Sequence, residues 1–341
     1  MIGDLRISLA LVAAMLGAAG TLHADSLAGP PVPVTPPTSP LAVDSTGSQY
    51  LIPTRRDRIG RITAPVTING RGPFRFMVDT GSNHTVIAEA TLQKLGIPVD
   101  SANFMSVTGI SSTELAPTAH VQSLDAGDMH LNDQDLAVLS GPVFSDIDGI
   151  LGMDAFEGMK VNADFRHGRI SIVHSFNHAP LWGYVMDASF LSDRLLMVDV
   201  EVGHVRTKAI IDTGGERTLG NLALLRELTG NRRSHYKPVR TSVVGVTSVT
   251  SVGTIERSPA IQMGATEVSE LYIVYGDFQI FRTWGLEDTP AILIGMDVLG
   301  TLSDLTLDYR RKEVNFLPGT DFLHPLGSSI PGAWFAATAD Y

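Results

Sequence analysis

Through the body of the chain, apolar and polar residues alternate in short runs broken by Gly, Pro, Asn or Asp. Period-two alternation of this length is the signature of half-buried β-strands. Val66-Thr67-Ile68 ends in the turn pair Asn69-Gly70, and Phe74, Phe76 and Val78 then alternate up to Asp79. Farther on, Val198, Val200 and Val202 alternate with Asp199 and Glu201 before Gly203, and Ala209-Ile210-Ile211 runs into Asp212. Helical periodicity is sparse. It is carried by residues 88–95, stopped by Gly96 and Pro98, and by residues 222–228, stopped by Gly230. The expected fold class is all-β, or mainly β.

The same series of signals occurs twice. Each copy has a short strand with a glycine turn, then an apolar strand leading into Asp-Thr-Gly. These loops are Asp79-Thr80-Gly81-Ser82 and Asp212-Thr213-Gly214-Gly215. Gly70 and Gly203 each lie nine positions before the Asp, and Thr85 and Thr218 each lie six after it. A β-rich stretch follows, 124–139 around Gly127 and 260–275 around Gly264. Next comes an apolar run ending at Gly152 or Gly295, with Asp154 or Asp297 two residues on. Both copies close with a strand opened by Asp-aromatic-Arg, at Asp164-Phe165-Arg166 and Asp308-Tyr309-Arg310. This shared order points to duplication, with lobes over 59–175 and 195–318 and a linker over 176–194.

An Asp delivered by a buried apolar strand is a poor surface carboxylate, because a buried charge is costly unless paired or hydrogen-bonded. Glycine beside it permits a tight turn, and the threonine hydroxyl can tie one loop to the other. If the halves pack about a local dyad, Asp79 and Asp212 are the residues that meet. Two carboxylates that close cannot both ionise readily, so the pair shares a proton. One member can then draw a proton from water while the other protonates a carbonyl oxygen.

On these residues the chain resembles a retropepsin-like aspartic protease in single-chain form, over roughly residues 61–318. The resemblance implies two pseudo-symmetric β-barrel lobes around a central cleft, with catalytic carboxylates at Asp79 and Asp212. It implies that Thr80 and Thr213 lock the loops across the interface and that Gly81 and Gly214 allow the turn. Ser82 can hydrogen-bond its own Asp through a hydroxyl, which Gly215 cannot do. The segments ending at Gly152 and Gly295 would pack beneath the loops, and Asp154 and Asp297 would start the helices that follow. Family members cover the substrate with a mobile hairpin, and the candidates are 106–111 and 242–247, with Gly109 and Gly245 as flap tips. An ordinary hairpin with a glycine turn is the alternative for each. The implied partner is a polypeptide in extended form, with no metal and no organic cofactor. Two Asp loops in one chain remove the need for dimerisation, so activity as a monomer is expected.

Composition narrows the rest. At 341 residues and 44% apolar content, the chain can bury one large core or two lobes. A net charge of −11 repels phosphate backbones and anionic lipid, so nucleic acid is not an expected partner. The lack of Cys excludes thiol catalysis and thiolate metal sites. Asp125, Asp128, Asp133 and Asp135 lack the spacing of a calcium loop, and neither His-Glu-x-x-His nor Gly-x-Ser-x-Gly occurs. His84 reads as a neighbour of the first loop rather than a general base.

Arg6, the apolar run from Ile7 to Ala19 and Leu22-His23-Ala24 read as a secretory signal over 1–24, too short to span a bilayer comfortably. Export to the periplasm, or outside the cell, is expected, without stable membrane insertion after cleavage. Residues 25–58 read as a Pro-rich flexible leader, and 319–341 as a tail whose Trp334 and Phe335 can pack on a lobe. The residues leave open whether the chain cuts peptides or is a non-catalytic peptide-binding or scaffold protein.

Overall fold

The computed structural model describes residues 49–53, 55–56, 61–126, 129–156, 158–175, 184–191, 195–230 and 239–319. The signal segment, most of the leader, the tail with Trp334 and Phe335, and Gly127 and Asp128 lie outside the described residues.

Strand dominates, and in the N-terminal lobe it closes on itself. Ile62–Ile68 pairs with Arg71–Val78, which runs parallel to Gly149–Leu151. The path continues through Val86–Ala88, Met129–Leu139 and Thr113–Ala126, and the last of these returns to Ile62–Ile68. Six strands thus form a closed barrel. Closure depends on length: Thr113–Ala126 is 14 residues long, enough to pair with Asp100–Thr108 at one end and Ile62–Ile68 at the other. The alternating positions Val66, Ile68, Phe76 and Val78 point inward and are fully buried. Each such side chain stabilises the fold by about 1.5–3 kcal/mol relative to an exposed one.

The C-terminal lobe repeats the path through Leu195–Val202, Val205–Ile211, Ala291–Ile294, Leu219–Asn221, Tyr272–Gly276 and Thr250–Arg257. Its closing strand is split at Ser258-Pro259-Ala260, because proline has no N–H for the ladder. Pairing resumes at Ile261–Met263, which closes against Leu195–Val202 and turns through Gly264 onto Thr266–Val268. The expected helices form as Glu89–Leu95, capped by Gly96 in the left-handed region, and Leu222–Thr229. Asn221 opens the second by accepting from Leu224 N. No helix among the described residues is long and apolar enough to cross a membrane.

Between the barrels each lobe gives three strands to one antiparallel array. Its order is Gln49–Pro53, Arg169–His174, Met159–Asp164, Leu302–Asp308, Glu313–Pro318, Tyr184–Leu191. Met159–Asp164 and Leu302–Asp308 are equivalent strands, and they pair with each other so that Asn162 faces Thr306. These residues stand two before Asp164 and Asp308, so the local dyad passes between them; Asn162 Nδ2 donates to Thr306 Oγ1 at 2.9 Å. The outer strands depart from the sequence reading. Gln49–Pro53 and Arg55–Arg56 fall in the expected leader, and Tyr184–Leu191 in the expected linker. Each outer strand of the array is recruited by the open edge of a neighbouring hairpin, whose unpaired N–H and C=O groups will accept any extended segment.

Candidate active site

Each apolar barrel strand runs out at its Asp. Asp79 N donates to Leu151 O at 3.0 Å and Asp212 N to Ile294 O at 2.9 Å, so the parallel neighbour still holds the backbone where the ladder ends. The chain then folds back on the carboxylate. Gly81 N donates to Asp79 Oδ1 at 2.8 Å, and Gly214 N and Gly215 N donate to Asp212 Oδ1 at 2.9 and 2.8 Å. These turns bring Asp79 and Asp212 into side-chain hydrogen-bond contact, with only 8% and 6% of their surface exposed.

The threonines tie the lobes together symmetrically. Thr80 N donates to Thr213 Oγ1 and Thr213 N to Thr80 Oγ1, both at 3.1 Å. Each hydroxyl hands its own proton across the interface, Thr80 Oγ1 to Ile211 O at 2.8 Å and Thr213 Oγ1 to Val78 O at 2.7 Å. Gly81 and Gly214 serve the site differently from the sequence reading. Neither is in the left-handed region; each leaves room for the carboxylate of the other lobe. A Cβ on Gly81 would lie 2.8 Å from Asp212 Cγ, and one on Gly214 would lie 2.4 Å from Asp79 Cγ.

Two further expectations are corrected. Ser82 Oγ donates to His84 O at 2.9 Å rather than to its own Asp, while Gly215 supports Asp212 through its backbone N–H. A Cβ at 215 would meet Asp212 Oδ2 at 2.6 Å, so the carboxylate occupies the space of a side chain. Asp154 and Asp297 stand in the first turns of Met153–Phe156 and Met296–Leu299, at the helix starts as expected, but their side chains do not serve as caps, and Gly295 is the N-cap of the second. Instead each accepts both donors of a threonine, Thr85 N and Oγ1 at 2.9 and 2.7 Å, and Thr218 N and Oγ1 at 3.1 and 2.6 Å. The threonine hydroxyls in turn accept from Gly152 N and Gly295 N, so the apolar segments pack beneath the loops as expected. The recurrence of Thr85 and Thr218 six residues past each Asp was the signal for this network.

Burial pushes both carboxyls above the ordinary range. For Asp79 the rise is opposed by the Gly81 N–H, by the bond to Asp212 and by the positive charge of Arg61. Asp212 is raised well above that range, by burial first and then by the negative charge of Asp79. Two raised carboxyls in contact share one proton, and their titration belongs to the pair. Beneath the loops, burial and then Asp79 raise Tyr309, which stays neutral.

The pair lines a cavity of about 280 Å³. Met77, Val86 and Ile150 form an apolar wall on one side, and Leu219, Val274 and Leu293 form its counterpart on the other. Gly109 and Gly245 also line the cavity, at the turns of two hairpins, one from each lobe. The tips meet and cross. Ile110 packs on the apolar cluster of the C-terminal lobe and Val246 on that of the N-terminal lobe. Glu114 Oε1 accepts from Ser248 N at 2.8 Å and Ser248 Oγ at 2.5 Å, a contact between lobes that sequence reasoning missed.

His84 sits outside this wall, 3.8 Å from Asp154. Asp125 pairs with His130 at 2.6 Å and Asp135 with His120 at 2.9 Å. Among the described residues no group of three or more His, Asp or Glu is arranged to hold a metal ion.

A family model described as aspartyl protease matches residues 64–155 and 198–298, one stretch in each lobe, each holding an Asp-Thr-Gly loop. No curated protein matches the chain. The matched stretches make up more than half of the sequence, and the chain belongs to this retropepsin-like aspartyl protease family.

Proposed function

We propose that the chain is an aspartic endopeptidase in which Asp79 and Asp212 activate one water molecule against a peptide carbonyl. The observation that carries this reading is the contact of two buried carboxylates from opposite lobes, both raised by burial. Asp79, the anion, takes a proton from the water as its oxygen bonds to the carbonyl carbon. Asp212 gives its proton to the carbonyl oxygen. Collapse of the gem-diol intermediate breaks the C–N bond as the proton held by Asp79 passes to the leaving nitrogen and a diol hydroxyl returns its proton to Asp212, which restores the singly protonated pair. The two hairpins that line the cavity support binding of an extended peptide along their strands, and the apolar walls support apolar side chains on either side of the cut. The signal-like segment 1–24 supports action on exported proteins, with the periplasm as the setting.

The test is cleavage of a mixed peptide library at mildly acidic and neutral pH. The parent is expected to cut, and Asp79→Ala and Asp212→Ala are each expected to lose about 10²–10⁴-fold or more. A parent that cuts nothing at any pH, yet binds extended peptides unaffected by either substitution, is a peptide-binding protein and ends this proposal.

A further inference from the structure

The two halves of the site differ in charge at one pair of buried positions, Arg61 and Leu195. Ile62–Ile68 pairs with Arg71–Val78 in a register that sets Thr63 against Met77. Continued by two residues, that register puts Arg61 across from Asp79. Leu195–Val202 pairs with Val205–Ile211 in a register that sets Met197 against Ile210. Continued in the same way, it puts Leu195 across from Asp212. Arg61 is 8% exposed and Leu195 1%. Arg61 lines the same cavity as both carboxylates and its charge acts on Asp79, whereas Leu195 belongs to the main apolar core. The other charged residues on the wall are Glu216 and Arg217, which are half-exposed and face each other at 4.0 Å. Tyr309, beneath the loops, is neutral.

A cation beside a carboxyl favours its charged form by about 1–3 pH units, while an apolar neighbour favours the neutral form. Where two acids share one proton, a bias on one decides where that proton rests. We propose that Arg61 is a positioning residue that holds the negative charge on Asp79 and leaves the shared proton on Asp212, so that base and acid are assigned before a peptide enters. The inference rests on the proposed function for its consequence. Asp79 receives a proton from water as Asp212 releases one to the carbonyl oxygen, and the pair stays singly protonated throughout the attack. Leu195 reinforces the assignment by giving Asp212 no counter-charge.

The experiment is a carboxyl ¹³C NMR titration of the aspartate-labelled full chain, with Asp79→Asn and Asp212→Asn for assignment. It is run beside pH profiles of kcat/KM for the parent, Arg61→Lys and Arg61→Gln. In the parent, Asp79 is expected to ionise first. Arg61→Gln is expected to raise the Asp79 midpoint, and with it the acidic limb of kcat/KM, by about one pH unit or more. Arg61→Lys keeps the charge and is expected to keep both near the parent's. A parent in which Asp212 ionises first overturns the proposal, whether or not either variant folds. So does a folded Arg61→Gln protein whose midpoint and limb do not move. The titration needs no turnover, so a chain that cuts no peptide but titrates as expected overturns the proposed function and leaves the role of Arg61 standing.

Discussion

Thr213 makes its hydroxyl serve as donor and acceptor at once, and both partners are buried backbone groups of the opposite lobe. Replacement by valine keeps the shape and strands Thr80 N and Val78 O without partners. Each stranded group costs about 1–3 kcal/mol, so Thr213→Val is expected to lower the unfolding free energy by about 2–6 kcal/mol. Thr213→Ser, which keeps the hydroxyl, should stay close to the parent. Denaturant unfolding of the three proteins at one pH is the measurement, and equal midpoints for Val and Ser would refute the assignment. The two threonines were legible in the sequence because a repeated motif puts them beside repeated acids. The targets of Ser82 and Asp154 were not. Ser82 Oγ has acceptors of similar reach on either side, and only the path of the loop selects His84 O. Asp154 sits where a helix-starting residue would, but its partner Thr85 is 69 residues away along the chain. Arg61 lies 18 positions before Asp79, and only strand register brings them together.

The hairpins over the cavity show the same limit among elements. Their glycine turns at Gly109 and Gly245 were readable from spacing, yet nothing local says that the two tips cross and that Glu114 reaches Ser248. Hydrogen bonds from the Ser248 hydroxyl and N–H hold the Glu114 carboxyl below its ordinary value. For an acid held low in the folded state, the stabilising contact is complete above the ordinary value and is lost as pH falls through the depressed one. The clasp is therefore present at neutral pH and released under strong acid. Glu114→Ala should mimic the acid state at every pH. Hydrogen exchange of residues 109–112 and 245–249, corrected for intrinsic rates, is expected to speed up in the variant while exchange in the barrels is unchanged. Identical protection of the turns in both proteins at neutral pH would show that the clasp does not restrain them. Glu114 is half-buried near the hairpin turn, and its loss is expected to act on the turns more than on global stability.

At the scale of the whole molecule, duplication was plain in the sequence, and it explains both why the barrels match and why they meet about a dyad. The dyad also relates Lys160 to Asp304, two residues outside Asn162 and Thr306, and there the symmetry of charge fails. Lys160 faces Asp308, a favourable pairing, but Asp304 faces Asp164. Burial pushes the Asp304 carboxyl up to about 6; Asn162 works against the rise and the charge of Asp164 adds to it. An unfolded Asp ionises near 3.9, so between roughly pH 4 and 6 the folded chain holds more protons than the unfolded one. Stability contributed by this group is full below that window, declines as pH rises through it, and stays lower at neutral pH. The displacement corresponds to about 3 kcal/mol at most, and to about 1–2 kcal/mol after allowance for partial solvent screening. Asp304→Asn keeps an acceptor for Asn162 and carries no charge. Its unfolding free energy is expected to exceed the parent's by that amount at pH 8 and to match it below pH 4. The raised carboxyls of Asp79 and Asp212 tilt both profiles alike, so the difference between them isolates Asp304. A variant no more stable than the parent at pH 8 would mean that burial does not hold the Asp304 carboxyl above its ordinary value where the lobes join.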